Sequence, residues 1–374
     1  MFLALRDIRF AKGRFALMGG VVALITLLLV MLSGLTAGLG DQSTSAIAKL
    51  GTGNGGASKP VDTIVFGAPG AGEPKASYTE SAVTAAQLDV WKRVPGVDAA
   101  EAVGISQARL QAGGSGSAAG GTANVAVFGV NPDGGLAPAA VVPGTVVIGS
   151  SVARDLALTV GDTASIGGSD LTVSGVVEDQ WYSHTSVVWT ALPDWSRLAH
   201  ITDPQQLGTV LAVSYRDGSS VDESAANAAA RTVTASRTDS FQALGSFKSE
   251  NGSLMLMQAF LYGISALVIV AFLTVWTVQR TRDVAVLKAL GGSGSYVLRD
   301  ALTQAAIVLL AGAGAGGALG ILGGSFAAQA APFLLTPATT LLPVLGIIVL
   351  GLAGAALAVR RVTKVEALIA LGGN

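Results

Sequence analysis

The sequence predicts a membrane α-helical protein with four transmembrane helices and a large extracytoplasmic α+β domain inserted between helices 1 and 2. The chain of 374 residues is 51% hydrophobic and only 13% charged, and its mean hydropathy is +0.58. Soluble domains carry about one quarter charged residues. The charged residues also leave three long gaps, and a segment of ordinary polarity separates the first gap from the second.

The charge gaps define the predicted membrane spans. Residues 15–40, 251–279 and 301–359 contain no Asp, Glu, Lys or Arg. A helix crosses the hydrocarbon core with about 20 residues, so the first two gaps each fit one helix and the third fits two. Pro332 and Pro337 mark a turn inside the third gap. We therefore predict spans at 15–39, 254–278, 302–326 and 341–359, with an external turn at 327–340.

The basic residues predict the orientation of the spans. Residues 1–14, 279–300 and 360–374 together hold 11 basic and 4 acidic residues, whereas residues 40–250 hold 12 basic and 20 acidic residues. Basic residues accumulate on the cytoplasmic side of a membrane. We therefore predict a multi-pass protein of the cytoplasmic membrane with both termini in the cytoplasm. Residues 1–14 read as an interfacial helix, 279–300 as a cytoplasmic coupling segment and 360–374 as a cytoplasmic tail.

The external segment 40–250 carries the signals of a folded α+β domain. A helix is predicted at 79–94, ended by Pro95-Gly96, and a weaker helix at 221–236. Gly167-Gly168 between two β-rich runs predicts a hairpin. Gly/Ser-rich loops are expected at 51–58 and 113–121. Further strands are predicted at 61–66, 124–130, 145–148, 186–190 and 209–215.

Composition excludes most kinds of chemistry. The chain has no Cys and only two His, and it lacks the G-x-x-x-x-G-K-[ST] phosphate loop. Its formal net charge of −1 does not indicate a nucleic-acid partner. Two G-x-G-x-x-G matches, starting at Gly51 and Gly312, lack the strand–helix context of a dinucleotide site. We predict no catalytic residue, no intrinsic metal site and no intrinsic cofactor.

Two further patterns have a structural interpretation. The glycines at 312, 316, 320 and 324 form a stripe that favours close helix packing, unless it reflects only Ala/Gly-rich composition. Ser183 and His184 are adjacent, so an extended strand would point them to opposite faces, and we assign that run a structural or surface role. The aromatic residues around it belong either to the core or to the membrane interface: Trp181, Tyr182, Trp189 and Trp195.

The start of the second span is the candidate binding site. Glu250 stands at the outer membrane edge, next to two methionines and several aromatic residues. Carboxylates at such positions are functional candidates, although a helix end with methionine as packing filler explains the same pattern. The candidate residues are Glu250, Phe247, Lys248, Met255, Met257 and Tyr262.

The segment between spans two and three is the second candidate site. Residues 282–290 form a short amphipathic pattern that Gly291-Gly292 ends. Such a helix suits docking into a cytoplasmic partner, although an inert connector has the same composition.

The layout resembles the FtsX/MacB-type permeases of ATP-binding cassette (ABC) transporters. The matching stretches are residues 4–9 (ALRDIR), residues 282–291 (RDVAVLKALG) and residues 360–368, where Arg360-Arg361-Val362 precedes Glu366-Ala367-Leu368. Within this group the chain is most similar to the HrtB branch of haem-efflux permeases, through Trp181-Tyr182-Ser183-His184-Thr185, Val188-Trp189 and the ending 362–373.

This resemblance implies a function and partners. Such permeases work as homodimers in the lipid bilayer with a separate ABC ATPase, here HrtA-like, that binds ATP and magnesium. The ATPase would contact the coupling residues Arg282, Asp283, Val286, Leu287 and Leu290. An HrtB-like pump would export haem, with Glu250 near or on the iron. The alternatives are an FtsX-like transmitter that acts on an external partner, or an exporter of a lipid, peptide or macrolide.

Overall fold

The structure is a computed structural model that describes residues 12–52, 60–113, 120–279 and 294–363. The chain divides into two compact units, Gly40–Glu250 and a helical unit made of Met1–Leu39 with Asn251–Asn374. Four helices of the described residues are long and apolar enough to cross a membrane. The described α-helices are α1 (Lys12–Ala48), α2 (Ala85–Lys92), α3 (Ser150–Asp155), α4 (Leu192–Leu198), α5 (Glu223–Ala230), α6 (Gly245–Gln279), α7 (Gly294–Ala327) and α8 (Pro337–Thr363).

The helical unit packs through small residues, as the glycine stripe predicts. A Cβ added to Gly312 would lie 2.8 Å from the backbone oxygen of Gly19, and one added to Gly316 would overlap the backbone of Ala23. Helix α7 therefore approaches α1 so closely that any side chain in place of these glycines would push the two helices apart. This confirms close packing as the meaning of the stripe.

Helix α8 begins at a well-defined cap. Thr336 and Thr339 exchange hydrogen bonds, since each backbone N–H donates to the hydroxyl of the other residue. Pro337 follows as the first helical residue, where its missing N–H costs nothing. Pro337 thus starts the helix rather than lying inside the preceding turn.

The unit Gly40–Glu250 is built around one long strand, β3. Strand β3 pairs with β11 along its first half and with β4 and β6 along its second half. The first half belongs to a four-stranded sheet with the order β12-β1-β11-β3, and the second half closes a ring of strands β3-β4-β9-β5-β7-β6. The strands are β1 (Thr63–Phe66), β2 (Val83–Thr84), β3 (Val97–Ala112), β4 (Thr122–Val130), β5 (Thr145–Gly149), β6 (Thr163–Ile166), β7 (Ser169–Val177), β8 (Trp181–Tyr182), β9 (Thr185–Ala191), β10 (Gln206–Gly208), β11 (Val210–Tyr215) and β12 (Val233–Ser236).

Both helices predicted in this unit are shorter than expected. Thr84 caps α2 in a capping box with Gln87, so the helix starts after a short strand and not at residue 79. Arg231 adopts a left-handed conformation (φ +52°) that ends α5, and residues 233–236 then form an edge strand. The predicted hairpin is confirmed: Gly167 and Gly168, both with positive φ, join β6 to β7.

Three apolar cores hold the unit Gly40–Glu250 together. Trp189 and Phe128 lie in one, the ring encloses a second around Trp195, and Trp91 anchors α2 in a third. Trp189, Trp195 and Tyr182 are at most 5% exposed. These aromatic residues are therefore core residues and not membrane-interface anchors.

Candidate functional site

The turn between β8 and β9 is the centre of the candidate site. Its two residues are Ser183 (φ +49°) and His184 (φ +64°), and the pairing of Tyr182 with Thr185 closes a two-residue hairpin. Such turns need positive φ at both central positions and usually contain Asn or Gly. The assumption of an extended strand at Ser183 and His184 was therefore wrong, and both side chains project from the hairpin tip.

The hairpin tip is hydrogen-bonded to the last turns of α1. The backbone N–H of Ser183 donates to the carbonyl of Ser43 at 3.0 Å, and that of His184 donates to the carbonyl of Gln42 at 2.9 Å. The hydroxyl of Ser45 accepts from the N–H of Trp181 at 2.9 Å. Three bonds to one helix fix the turn and offset the strain of about 1–3 kcal/mol per residue that such φ values cost.

His184 contacts the carboxylate that the sequence analysis singled out. Its Nε2 atom lies 2.8 Å from Oε2 of Glu250 and 3.1 Å from Oγ of Ser43. An ionised carboxylate only accepts hydrogen bonds, so Nε2 carries the proton that it donates to Glu250. Ser183 Oγ lies 3.1 Å from Ser246 Oγ in the first turn of α6. We call Ser43, Ser183, His184, Ser246 and Glu250 the His184 cluster.

His184 binds one of the two oxygen atoms of the Glu250 carboxylate. Its side chain is 43% exposed, and that of His184 is 31% exposed. Among the described residues, only Oε2 of Glu250 accepts a hydrogen bond, which leaves Oε1 available to a ligand. The cluster therefore presents one oriented carboxylate oxygen next to an imidazole.

Three charged residues of the same unit interact with one another: Asp41 on α1, Lys49 just after it, and Glu178 just before β8. Asp41 is half-buried, and this burial raises the pKa of its carboxyl group, against the smaller effect of the Lys49 ammonium. The nearby carboxylate of Glu178 adds to the rise. Lys49 also forms a 3.8 Å ion pair with Glu178, which is largely exposed.

The other predicted site residues occupy different surroundings. Phe247 packs edge-on against Phe241, with ring centroids 6.1 Å apart, and Lys248 is exposed. In the helical unit, Met255 and Met257 are 60% and 53% exposed. They point to nearly opposite sides of α6, because two residues turn a helix by about 200°. Tyr262 packs in the helical core, and a Cβ on Gly346 would lie 3.0 Å from its ring.

Sequence reasoning missed most of the His184 cluster. Ser43 and His184 are 141 residues apart, and His184 and Glu250 are 66 apart, so no local motif joins them. The one usable signal was rarity, because the chain has only two His. His200 does not join this cluster; it lies just after α4, with a φ of +51°.

Some predicted features lie outside the described residues. They are the interfacial helix at 1–14 apart from residues 12–14, the tail from residue 364, the Gly/Ser-rich loops at 53–58 and 114–119, and the coupling residues Arg282, Asp283, Val286, Leu287 and Leu290. Within the described residues, no group of three or more His, Asp or Glu side chains is arranged to hold a metal ion.

Comparison with family models covers nearly the whole chain. The MacB-like periplasmic core domain model matches residues 15–231, and the FtsX-like permease C-terminal model matches residues 241–367. The periplasmic region of MacB from Actinobacillus actinomycetemcomitans is 13% identical, with a TM-score of 0.34, and the match covers 51% of this chain and 92% of that one.

Individual relatives are distant. A hemin transport system permease protein HrtB of Staphylococcus epidermidis is 24% identical over 57% of this chain and 59% of its own length. The HrtB protein of Staphylococcus haemolyticus is 26% identical over 58% of this chain and 60% of its own length. An ABC transporter permease of Mycobacterium bovis is 24% identical over 100% of this chain and 99% of its own length.

The two family-model matches agree with the architecture. The periplasmic core model alone matches more than half of the chain, and the permease model follows it in the order that the helices and strands require. The large α+β unit after the first helix is the extracytoplasmic domain of this architecture. The chain therefore belongs to the FtsX/MacB-type family of ABC transporter permeases.

Proposed function

We propose that this chain is the permease subunit of an ATP-driven efflux pump that takes haem from the membrane and releases it outside. The observation that carries the proposal is the oriented, half-exposed carboxylate of Glu250 in the His184 cluster. The HrtB relatives carry names that refer to hemin transport, and these names support the same substrate.

The chemistry of haem matches the candidate residues. Haem presents a flat apolar face, an iron that takes axial ligands and two propionates. Oε1 of Glu250 would bind the ferric iron, while His184 holds Oε2 and fixes the carboxylate. Phe247 and one of the two methionines, which lie on nearly opposite sides of α6, would contact the porphyrin, and Lys248 would pair with a propionate. Tyr262 packs in the helical core and would not contact a haem bound at Glu250. The exposed methionines supply polarizable apolar surface for such a face.

Energy would come from a partner. The chain lacks a phosphate loop, so a separate HrtA-like ABC ATPase would bind ATP and magnesium. That subunit would contact the coupling residues 282–290 of each permease in a homodimer. ATP-driven closure of the ATPase would then move the spans and expel haem, with both termini of the permease in the cytoplasm.

A haem titration of the purified full-length chain in detergent tests this proposal. We expect saturable binding with a defined Soret band, and a shifted band with about tenfold weaker affinity in Glu250→Ala, since an axial bond is lost. Glu73→Ala, an exposed carboxylate elsewhere in the domain, is the matched control and should leave the spectrum unchanged. Absence of saturable binding would reject haem as substrate. An unaltered spectrum in Glu250→Ala would reject only the ligand role.

One observation favours transmission of force as a second function. The hairpin tip is bonded to carbonyls of Gln42 and Ser43 on α1, so displacement of that helix end would pull directly on β9 and the ring of strands. An FtsX-like transmitter would use this link to act on an external partner without moving a substrate. A purified dimer that binds no haem but copurifies with an extracytoplasmic hydrolase would support that function.

A further inference from the structure

A cleft of about 580 Å³ opens in the extracytoplasmic domain beside the middle of β3. Its volume falls in the range of about 300–1,000 Å³ that is usual for ligand sites. Its lining includes the β3 segment Ile105–Gln107 together with Gln206 and Thr209. The cleft lies where β3 leaves the four-stranded sheet and enters the ring of strands.

The hydrogen-bond ladder of β3 is interrupted at this point. On one side, β4 pairs with Gly104–Gln111 without a break. On the other side, β11 pairs only up to Val103 and β6 only from Leu110. Between them, the hydroxyl of Thr209 accepts from the N–H of Ile105 at 2.8 Å and donates to its carbonyl at 3.2 Å.

Gln107 is therefore left with open backbone groups. In a strand, alternate residues direct their N–H and C=O to the same neighbour. Since Ile105 bonds toward Thr209, Gln107 points the same way, into the cleft. Within the described part of the chain, neither its N–H nor its C=O has a partner on that side.

The lining of the cleft suits an uncharged chain. Its residues include no Asp, Glu, Lys, Arg or His, and about half of them carry hydroxyl or amide groups. Such groups pair with peptide N–H and C=O groups without the desolvation cost of an unpaired charge. Ten of the lining residues carry such a group, among them Ser106, Gln107, Gln206 and Thr209.

We propose that this cleft binds an extended, uncharged peptide segment of an extracytoplasmic partner protein, which pairs with the open backbone of Gln107. Recognition by strand addition takes its affinity from main-chain hydrogen bonds and its specificity from side-chain pockets. The inference is independent of haem transport, because it uses none of the residues assigned to haem.

The cleft also borders the His184 cluster. Ser183 and Ser246 line the cleft and share a hydrogen bond at 3.1 Å. A peptide in the cleft would therefore touch the hairpin tip that is bonded to α1. The partner would be held next to the hydrogen bonds that join the hairpin tip to that helix.

A phage-displayed library of random linear peptides, selected on the full-length chain in nanodiscs, tests the proposal. We expect enriched peptides that lack charged residues in their core and that slow hydrogen exchange of the Gln107 amide. Gln107→Pro should weaken their binding by about tenfold, because it removes a main-chain bond, whereas Gln107→Ala keeps the backbone donor and should change affinity much less.

Introducing a positive charge into the cleft gives a second, independent test. Gln206→Arg places a charge in the uncharged cleft and should abolish binding, while Gln205→Arg next to it, outside the lining, should not. Failure to enrich any peptide, equal losses in Gln107→Pro and Gln107→Ala, or equal binding by the two Arg variants would overturn the proposal. So would exclusive binding of peptidoglycan sugars, which the same assay can include as soluble fragments.

Discussion

Nε2 of His184 lies 2.8 Å from Oε2 of Glu250, although the two residues are 66 positions apart in the chain. The pair joins a hairpin of the sheet to the beginning of α6, and Ser43 adds the end of α1 at 3.1 Å from the same nitrogen. The hairpin, the end of α1 and the beginning of α6 are thus connected through a single imidazole. The cluster therefore resists separation of these elements within the extracytoplasmic domain.

The first prediction concerns the strength of this pair. A double-mutant cycle with His184→Ala and Glu250→Ala should give a coupling energy of about 1 kcal/mol, since the pair is short but partly exposed. The coupling should fall at high salt, because screening weakens exposed pairs. Thermal unfolding of the purified protein in detergent is the measurement.

A matched cycle on Lys75 and Glu80 controls for ordinary surface pairs. Their charged atoms are 3.9 Å apart, and the side chains are 69% and 64% exposed. We expect a coupling below about 0.3 kcal/mol there. A coupling for His184 and Glu250 no larger than this control would show that the cluster is not a specific connection.

The second prediction concerns the glycine stripe of α7. Gly316→Ala should destabilise the protein by about 1–3 kcal/mol, because the added Cβ overlaps the backbone of Ala23 on α1. Gly314→Ala is the control, since nothing lies within 4 Å of its added Cβ. Alanine there should be neutral or stabilising by up to about 1 kcal/mol. Equal melting temperatures of the Gly316→Ala and Gly314→Ala variants in detergent micelles would contradict the close packing of α7 on α1.

Sequence reasoning works where a pattern is local. Absence of charge over long stretches, together with helix length, is enough to predict four membrane helices. The hairpin at Gly167-Gly168 and the glycine stripe were predictable because each depends on a few neighbouring residues.

The same reasoning fails where distant residues decide. The sequence predicts one helix from residue 79 onward, yet residues 83–84 pair with β10 and Thr84 then caps the helix. Glu250 could be selected as a candidate from its place at the membrane edge. Its partner His184 could not, because only the fold of β8 and β9 brings the imidazole to it.

The third prediction concerns Glu101 on β3. Burial raises the pKa of this carboxyl group, against the opposing effects of the Gly135 N–H and the Lys92 ammonium. Its Oε2 atom is buried without a hydrogen-bond partner among the described residues. Folding therefore shifts this group toward the protonated acid relative to the unfolded chain, and above the raised pKa its ionisation lowers the free energy of unfolding.

Glu101→Gln should raise the melting temperature near pH 7, because the amide removes a buried charge. The difference from wild type should shrink as pH falls through the raised pKa, and it should vanish below the unfolded value of 4.5, where the acid is protonated in both states. Glu73→Gln, at an exposed site, should show no such pH-dependent gain. If the rise in melting temperature caused by Glu101→Gln became larger as the pH falls, the predicted direction of the pKa shift would be wrong.

The fourth prediction concerns the slot that holds Trp195. Gly104 and Gly129 face each other on β3 and β4, and a Cβ on either would overlap the Trp195 side chain. The indole is 1% exposed and donates from Nε1 to Ser106 Oγ at 3.1 Å. The two glycines thus make room for the largest side chain in the core of the ring.

Gly104→Ala should destabilise the protein by about 1–3 kcal/mol and shift tryptophan fluorescence to the red, because the indole is forced toward solvent. Gly175→Ala in β7 is the control, since its Cβ would meet Val147 at an ordinary 3.7 Å. Trp195→Ala removes the ring atoms nearest the added Cβ of Gly104 (Cδ2, Cε3 and Cε2), so the double variant Gly104→Ala/Trp195→Ala should lose less stability than the sum of the single variants. Additive losses would mean that Gly104 is required for the backbone of β3 and not for the indole.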